Sequence, residues 1–402
     1  MKRILAVILI VTCLFCTGCW DQIEITDLAL AIATGVDKGE KPGQEVVLTI
    51  QVANPRVMIP GEGGGTEEAF WTATGKGKTI REATFQMSHR VPRKIFFGHN
   101  RIMVVGEEAA RSGIIPYLDR YFRSRETRTN LYIMVARGTA QQVLETKMAT
   151  FRSSGMALIN LFELGNSHAV VPIRLMQFIY DLTLENTGAV APIVEIVEQT
   201  SVSIEEKLKA GRPQTLEVKN LAVFDPKGRM VGELDETETT GLMWIRDWLQ
   251  RTDISVPCPV KGAEGPVDLE LVGSTTAIRV HIGKNGIPRF EIELRVMLDV
   301  AEHFGEHPGL DHIWYVASLE KRANTVITQQ IQSAVSKAQA LNVDVFEFSE
   351  ELRRQHPDEW RKLQHKWQDI FPLVEVTVSS KTLIGNRGSS AENPDSKLKV
   401  LK

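Results

Sequence analysis

Residues 102–142 read IMVVGEEAARSGIIPYLDRYFRSRETRTNLYIMVARGTAQQ, and the order of patterns within them sets the fold class. Ile102-Met103-Val104-Val105 is an unbroken apolar run of strand length, which predicts a strand buried on both faces. Pro116 is placed for the first turn of a helix carrying Leu118 and Phe122. Leu131 to Ala136 predicts a second buried strand, and Thr139-Ala140-Gln141-Gln142 has the spacing of a capping box at the next helix. Strand, helix, strand, helix predicts an α+β fold in which helices pack on mixed β-sheets.

The same patterns extend outward. Upstream, 46–52 and 70–74 predict strands separated by a Gly- and Pro-rich loop, and Thr79-Ile80-Arg81-Glu82 predicts a capping box opening a helix with Ile80, Ala83 and Met87 on one face. Downstream come helices over 155–164 and 173–184, a strand over 190–197, and a linker over 207–214 containing Gly211 and Pro213. A hairpin follows, 216–225 and 230–234, around Pro226-Lys227-Gly228-Arg229. A helix over 235–249 would carry Trp244 and Trp248 one turn apart as a core-packing pair. Strands over 269–281 and 289–300 flank Asn285-Gly286, a strong hairpin signal. A long helix over 317–341 bears the stripe Ile327, Ile331, Ala334, Val335, Ala338, Leu341, then come helices over 343–355 and 357–370 and a strand over 373–378.

With 402 residues, 43% hydrophobic, 24% charged and a formal charge of -3, the chain can bury sizeable cores and is not built to hold nucleic acid by bulk charge. The length predicts two or three domains, and the pattern breaks place them at 19–200, 201–272 and 273–385, after a leader at 1–18 and before a mobile tail at 386–402. The leader has Lys2 and Arg3, then the uncharged run 4–15, too short to span a bilayer and suited to a signal peptide. Cys16-Thr17-Gly18-Cys19 follows and resembles a bacterial lipobox, although Cys16 stands where Leu is usual. Cleavage would fall between Gly18 and Cys19, and acylated Cys19 would begin a mature chain of 384 residues. Cys258 would then be the sole free thiol, so no internal disulfide is expected.

Catalytic patterns fail on their chemistry. Gly75-Lys76-Gly77-Lys78-Thr79 suggests a phosphate loop, but Thr72 occupies the position of its first glycine, and a solvated turn is the simpler reading. His303-Phe304-Gly305-Glu306-His307 matches a zinc-hydrolase spacing, yet Gly305 and the following Pro308-Gly309 leave the helix that would align both imidazoles unsupported. Gly165-Asn166-Ser167-His168-Ala169 lacks the last glycine of a nucleophile elbow. No enzyme, metal or cofactor is expected. Residues 81–128 hold ten Lys or Arg against five Asp or Glu, which reads as solvated faces or as a patch for anionic lipid or an acidic partner.

Cys19-Trp20-Asp21, Asp27-Leu28-Ala29 and Thr34-Gly35-Val36-Asp37-Lys38 resemble the opening of the Ger(x)C (GerAC-type) spore germination lipoproteins. Phe97-Gly98-His99-Asn100, Val104-Val105-Gly106-Glu107 and Arg125-Glu126-Thr127-Arg128 are similar to that family's N-terminal domain. Ala222-Val223-Phe224, Gly232-Glu233-Leu234, Glu238-Thr239-Thr240-Gly241-Leu242 and the stretch 360–371 are similar to its C-terminal domain. The resemblance implies a non-enzymatic, lipid-anchored C subunit of a nutrient germinant receptor. It also implies polytopic A and B subunits as partners, at the extracytoplasmic face of the spore inner membrane, with three α+β domains. Trp20, Asp21, Arg125 and Arg128 are the interaction candidates within these motifs. A solute-binding lipoprotein that captures a nutrient itself is the alternative reading.

Overall fold

The chain enters the fold through β1, Leu28–Lys41, a strand that periodicity alone does not single out because alanine, glycine and threonine dominate it. The computed structural model describes residues 24–54, 70–124, 126–148, 151, 153–163, 171–199, 214–260, 265–303, 310 and 312–385. After β1 come β2, Gln44–Ala53, and β3, Phe70–Gly77; then α1, Ile80–Ser88, β4, Lys94–Phe96, and β5, Ile102–Gly106. Two helices, α2 at Glu107–Ser112 and α3 at Ile115–Arg123, lead to β6, Tyr132–Ala136. Helices α4 (Ala140–Glu145), α5 (Ser154–Glu163) and α6 (Leu175–Thr183) precede β7, Ala189–Glu198. The hairpin β8, Gln214–Phe224, and β9, Met230–Leu234, runs into α7, Glu236–Ile245.

These strands form one mixed sheet in the order β3-β2-β1-β5-β6-β7-β8-β9, with β4 beside the start of β1. The strands β1, β5, β6 and β7 run parallel at its centre, and the antiparallel pairs lie at its flanks. Both faces are covered. Met103, Val105, Ile133 and Val135 point into one core, while Ile102, Val104, Tyr132 and Met134 point into another with Val143, Leu144 and Leu158 from α4 and α5. That is why β5 and β6 read as continuous apolar runs and not as alternating ones.

The second sheet is built from β10, Asp253–Pro257, β11, Pro266–Ile282, β12, Pro288–His303, and a last strand described below. It turns at Asn285-Gly286, where Gly286 adopts φ +77 and Gly283 and Ile287 close the hairpin. Helix α8, Ile313–Leu341, follows, with α9 (Phe348–Gln355), α10 (Pro357–Leu363) and α11 (Trp367–Ile370) before β13, Glu375–Ile384. The order is β10-β11-β12-β13, with β13 parallel to β12. Helix α8 buries Tyr315, Leu319, Ala323, Ile327, Ile331, Ala334, Val335 and Ala338, and it joins the sheets. It packs on β10 and β13 and also against α7 and β9.

Strand pairing runs across positions 200 and 272, β8 on β7 in the first sheet and β11 unbroken through 272, which leaves the expected domain limits neither supported nor overturned. Several local expectations are corrected. Helix α7 stops at Ile245 because Asp247 takes φ +53, so Trp248 lies beyond the helix end, although both tryptophans pack on the same core as expected. Trp244 is buried and donates to Gln330 Oε1, whereas the Trp248 ring lies 4.5 Å from the Arg246 guanidinium. Gly75 and Gly77 are not in a solvated turn but within β3. A Cβ on Gly75 would come 2.1 Å from the Ala83 carbonyl oxygen, so these glycines let α1 lie close on the sheet.

Candidate functional site

Gly18, Cys19, Trp20, Asp21 and Arg125 lie outside the described residues; Arg128 is described and exposed. The structure does place the point where the N-terminal segment enters the fold. Leu28 pairs with Lys94, the first residue of β4, and Lys94 Nζ stands 4.0 Å from Glu126 Oε1, two residues before Arg128. The N-terminal entry, β4 and the loop carrying Arg128 are therefore neighbours. Within 81–128, Arg111 pairs with Glu107 and Arg123 with Asp119, and only Arg101–Glu163 draws on an acid from outside the segment, so most of the cationic excess remains. Arg90, Arg93 and Arg128, by contrast, form no ion pair among the described residues. Arg120 covers the Phe97 ring at 4.6 Å, and burial pulls its pKa below the usual arginine range.

A second polar centre, which residue spacing does not reveal, fastens the halves together. Arg246, just past α7, reaches Asp181 of α6 at 3.5 Å and Glu347, just before α9, at 2.6 Å, and donates to the Val345 carbonyl at 3.1 Å. The Arg246 and Asp181 side chains are only 7% and 2% exposed. Burial pushes the carboxyls of Asp181 and Glu347 up, and the Arg246 charge pulls both back. Gln177 donates to Asp181 at 2.8 Å. Next to this cluster Asp344 accepts from the backbone N–H groups of Phe346, Phe348 and Ser349, and the Ser349 hydroxyl meets that of Thr187 at 3.0 Å. The sequence signal is a single acid, Asp181, in a mostly apolar helix.

In the first sheet, Asp37 at the far end of β1 accepts from Ala140 N at 2.7 Å and Gln141 N at 3.0 Å, so its carboxylate caps α4 together with Thr139. Burial raises its pKa, and these two backbone bonds act against the rise. Thr34, Asn100 and Tyr121 form a buried hydroxyl–amide network nearby, with Asn100 Nδ2 donating to Thr34 at 2.9 Å. Asn100 Oδ1, in the same network, is buried and accepts no hydrogen bond among the described residues. His303 is the last residue of β12, and its Nε2 lies 3.7 Å from the half-buried Cys258 thiol; residues 304–309, the rest of the zinc-like motif, lie outside the described residues. Among the described residues no group of three His, Cys, Asp or Glu side chains could hold a metal.

The polar centres thus point to a scaffold that holds two sheets in fixed relation. Two family models match in tandem: the spore germination protein N-terminal domain over residues 21–196, and the spore germination B3/GerAC-like C-terminal domain over 219–388. The chain belongs to the GerAC family of spore germination proteins. It is 26% identical to spore germination protein KC of Bacillus subtilis (strain 168) over 96% of each chain. It is 26% identical to spore germination protein B3 of the same organism, over 92% of this chain and 94% of that one. The crystal structure of the GerBC protein matches with a TM-score of 0.56 and 21% identity, covering 91% of this chain and all of that one, which shows the shared multidomain α+β fold. The Leu28, Asp37, Gly106 and Gly241 positions quoted for the GerAC resemblance are those that pair, cap or pack closely in this structure.

Proposed function

We propose that this GerAC-family chain is the lipid-anchored C subunit of a spore nutrient germinant receptor, acting with polytopic A and B subunits at the extracytoplasmic face of the spore inner membrane. The observation that carries the reading is the match to spore germination proteins over both halves and over nearly the whole length of those relatives. In this reading Cys19 takes the acyl chains, and the subunit makes and breaks no bond in its substrate. No helix among the described residues is long and apolar enough to cross a membrane. In this reading attachment rests on the lipid, where two chains hold stably and one holds only marginally.

The geometry fits this use. Nine residue steps run from Cys19 to Leu28, a reach of at most about 32 Å. Leu28 enters beside Lys94, Arg93 and the Arg128 loop, so the cationic residues would lie close to the headgroups of the same membrane. Tethering raises the effective concentration of the ectodomain at its membrane partners, and docking becomes nearly intramolecular. Germinant bound elsewhere in the receptor would then shift a conformational equilibrium that this subunit biases.

The test is Cys19→Ala in spores. Loss of the protein from the membrane fraction, with impaired nutrient germination, is the expected outcome. Normal germination with a fully soluble variant would overturn the anchoring role. Purification of the tagged chain from native spore membranes should yield an acylated Cys19 and two polytopic chains by mass spectrometry.

A further inference from the structure

Among the described residues nothing covers the face of the second sheet turned away from α8, and its charges are distributed unevenly. At one end the side chains pair across the strands: Arg279 with Glu293, His281 with Glu291, Arg289 with Glu375. At the other end Arg295 of β12 lies directly opposite Lys381 of β13, and neither makes an ion pair among the described residues. Like charges placed opposite each other across a strand pair are destabilising unless an anion lies between them. Asp299, further along that face of β12, already engages another group.

The next row on the same face is apolar. Met297 pairs with Leu383, and Val272 stands at the bulge where β11 meets this row; they are 47%, 50% and 53% exposed. The cationic and apolar rows together line a groove of about 780 Å³, with Thr275 opposite Arg295 at its rim. The rows are two residues apart, a spacing of about 6.6 Å along a strand. An extended peptide repeats that spacing on one face, between residues i and i+2.

We propose that this groove docks an extended segment of a partner protein in which an Asp or Glu and an apolar residue lie two positions apart. The acid sits between Arg295 and Lys381, and the apolar side chain enters between Val272, Met297 and Leu383. The recess favours a convex side chain over the plane of a lipid surface. This assignment rests on the reading of the chain as a subunit of a larger assembly.

The experiment places the photo-crosslinking residue p-benzoylphenylalanine at Met297, at Leu383 and, as a control on the paired end of the same face, at Thr377, in the full chain in spores. Irradiation should give protein adducts from positions 297 and 383 that map to acidic, apolar segments, with at least tenfold less from 377. Arg295→Glu with Lys381→Glu should lower the yield at least tenfold, and Arg295→Lys should retain it. In the purified full chain Arg295→Glu alone should raise the melting temperature by about 1 to 2 °C, because it turns a repulsive cross-strand pair into an attractive one. Adducts to lipid only, yields at 297 no higher than at 377, or yields indifferent to charge reversal would each overturn the proposal. Unirradiated spores are scored separately for co-purification of polytopic chains. Co-purification without an adduct sinks the groove and leaves the receptor reading standing; acidic-segment adducts without polytopic chains do the reverse.

Discussion

Asp37 and Arg246 are single residues on which long-range contacts depend. Asp37 joins β1 to the start of α4, and its Oδ1 stands 2.0 Å from where a Cβ on Gly106 would be, so no side chain is tolerated there. Asp37→Ala strands two backbone N–H groups and should cost about 2–3 kcal/mol, read as a lower urea midpoint at unchanged slope. The pH dependence has a definite sign. The folded chain holds the Asp37 proton to a higher pH than the unfolded chain does, so this group's contribution is greatest at low pH. It falls as pH rises from the ordinary aspartate range, about 4, through the raised folded value. Stability of the wild type relative to Asp37→Asn, measured by urea titration at successive pH values, should decline across that window; a flat difference would contradict it. Arg246→Met leaves Asp181 buried without its cation and should cost about 3–5 kcal/mol. Adding Asp181→Leu should recover much of that loss, which a double-mutant cycle measures.

Helix and strand packing turns on close approaches that only glycine allows. The glycines of Gly75-Lys76-Gly77 lie under α1, where the Ala83 backbone would meet any Cβ. Gly75→Ala should therefore destabilise the chain by about 2–3 kcal/mol, and added ATP should not restore it in a thermal-shift assay. Capping shows how local signals are refined by context. At α4 the Thr139–Gln142 box forms in both directions. At α1 the Thr79 hydroxyl accepts from Glu82 N, but the Glu82 carboxylate accepts from Lys78 N, one residue earlier than a reciprocal box would place it. The 357–370 stretch, expected as one helix, is interrupted by a 3-10 turn at Gln364–Lys366, which lets Trp360 and Trp367 pack edge to face at 5.6 Å.

The molecule as a whole is held by α8. With 29 residues it is about 43 Å long, and it covers the second sheet with one part while crossing α7 with another. At that crossing a Cβ on Gly241 would come 2.1 Å from the Gln330 carbonyl oxygen. One buried core accordingly runs from Ala29 to Val374. Calorimetry of the intact chain should show a single endotherm, and Gly241→Leu, which wedges α7 off α8, should split it into two. Two endotherms in the unmodified chain would refute the shared core.

The elements whose signal is local were legible beforehand: the apolar runs of β5 and β6, the Thr139 cap, the Asn285-Gly286 turn and the stripe of α8 all follow from backbone preference and side-chain period. The GerAC resemblance was likewise legible, in the order of short motifs. Other features were not. The central strand β1 gains its place from six neighbouring elements rather than from its own small residues, so its composition conceals it. Asp181, Arg246 and Glu347 are separated by 65 residues or more and meet only once α6, α7 and the 343–347 segment have packed. The same holds for Arg295 opposite Lys381, whose pairing depends on the register of a parallel strand that returns after α8. Electrostatic contacts reach across space, and sequence period reports only a residue's near neighbours along the chain.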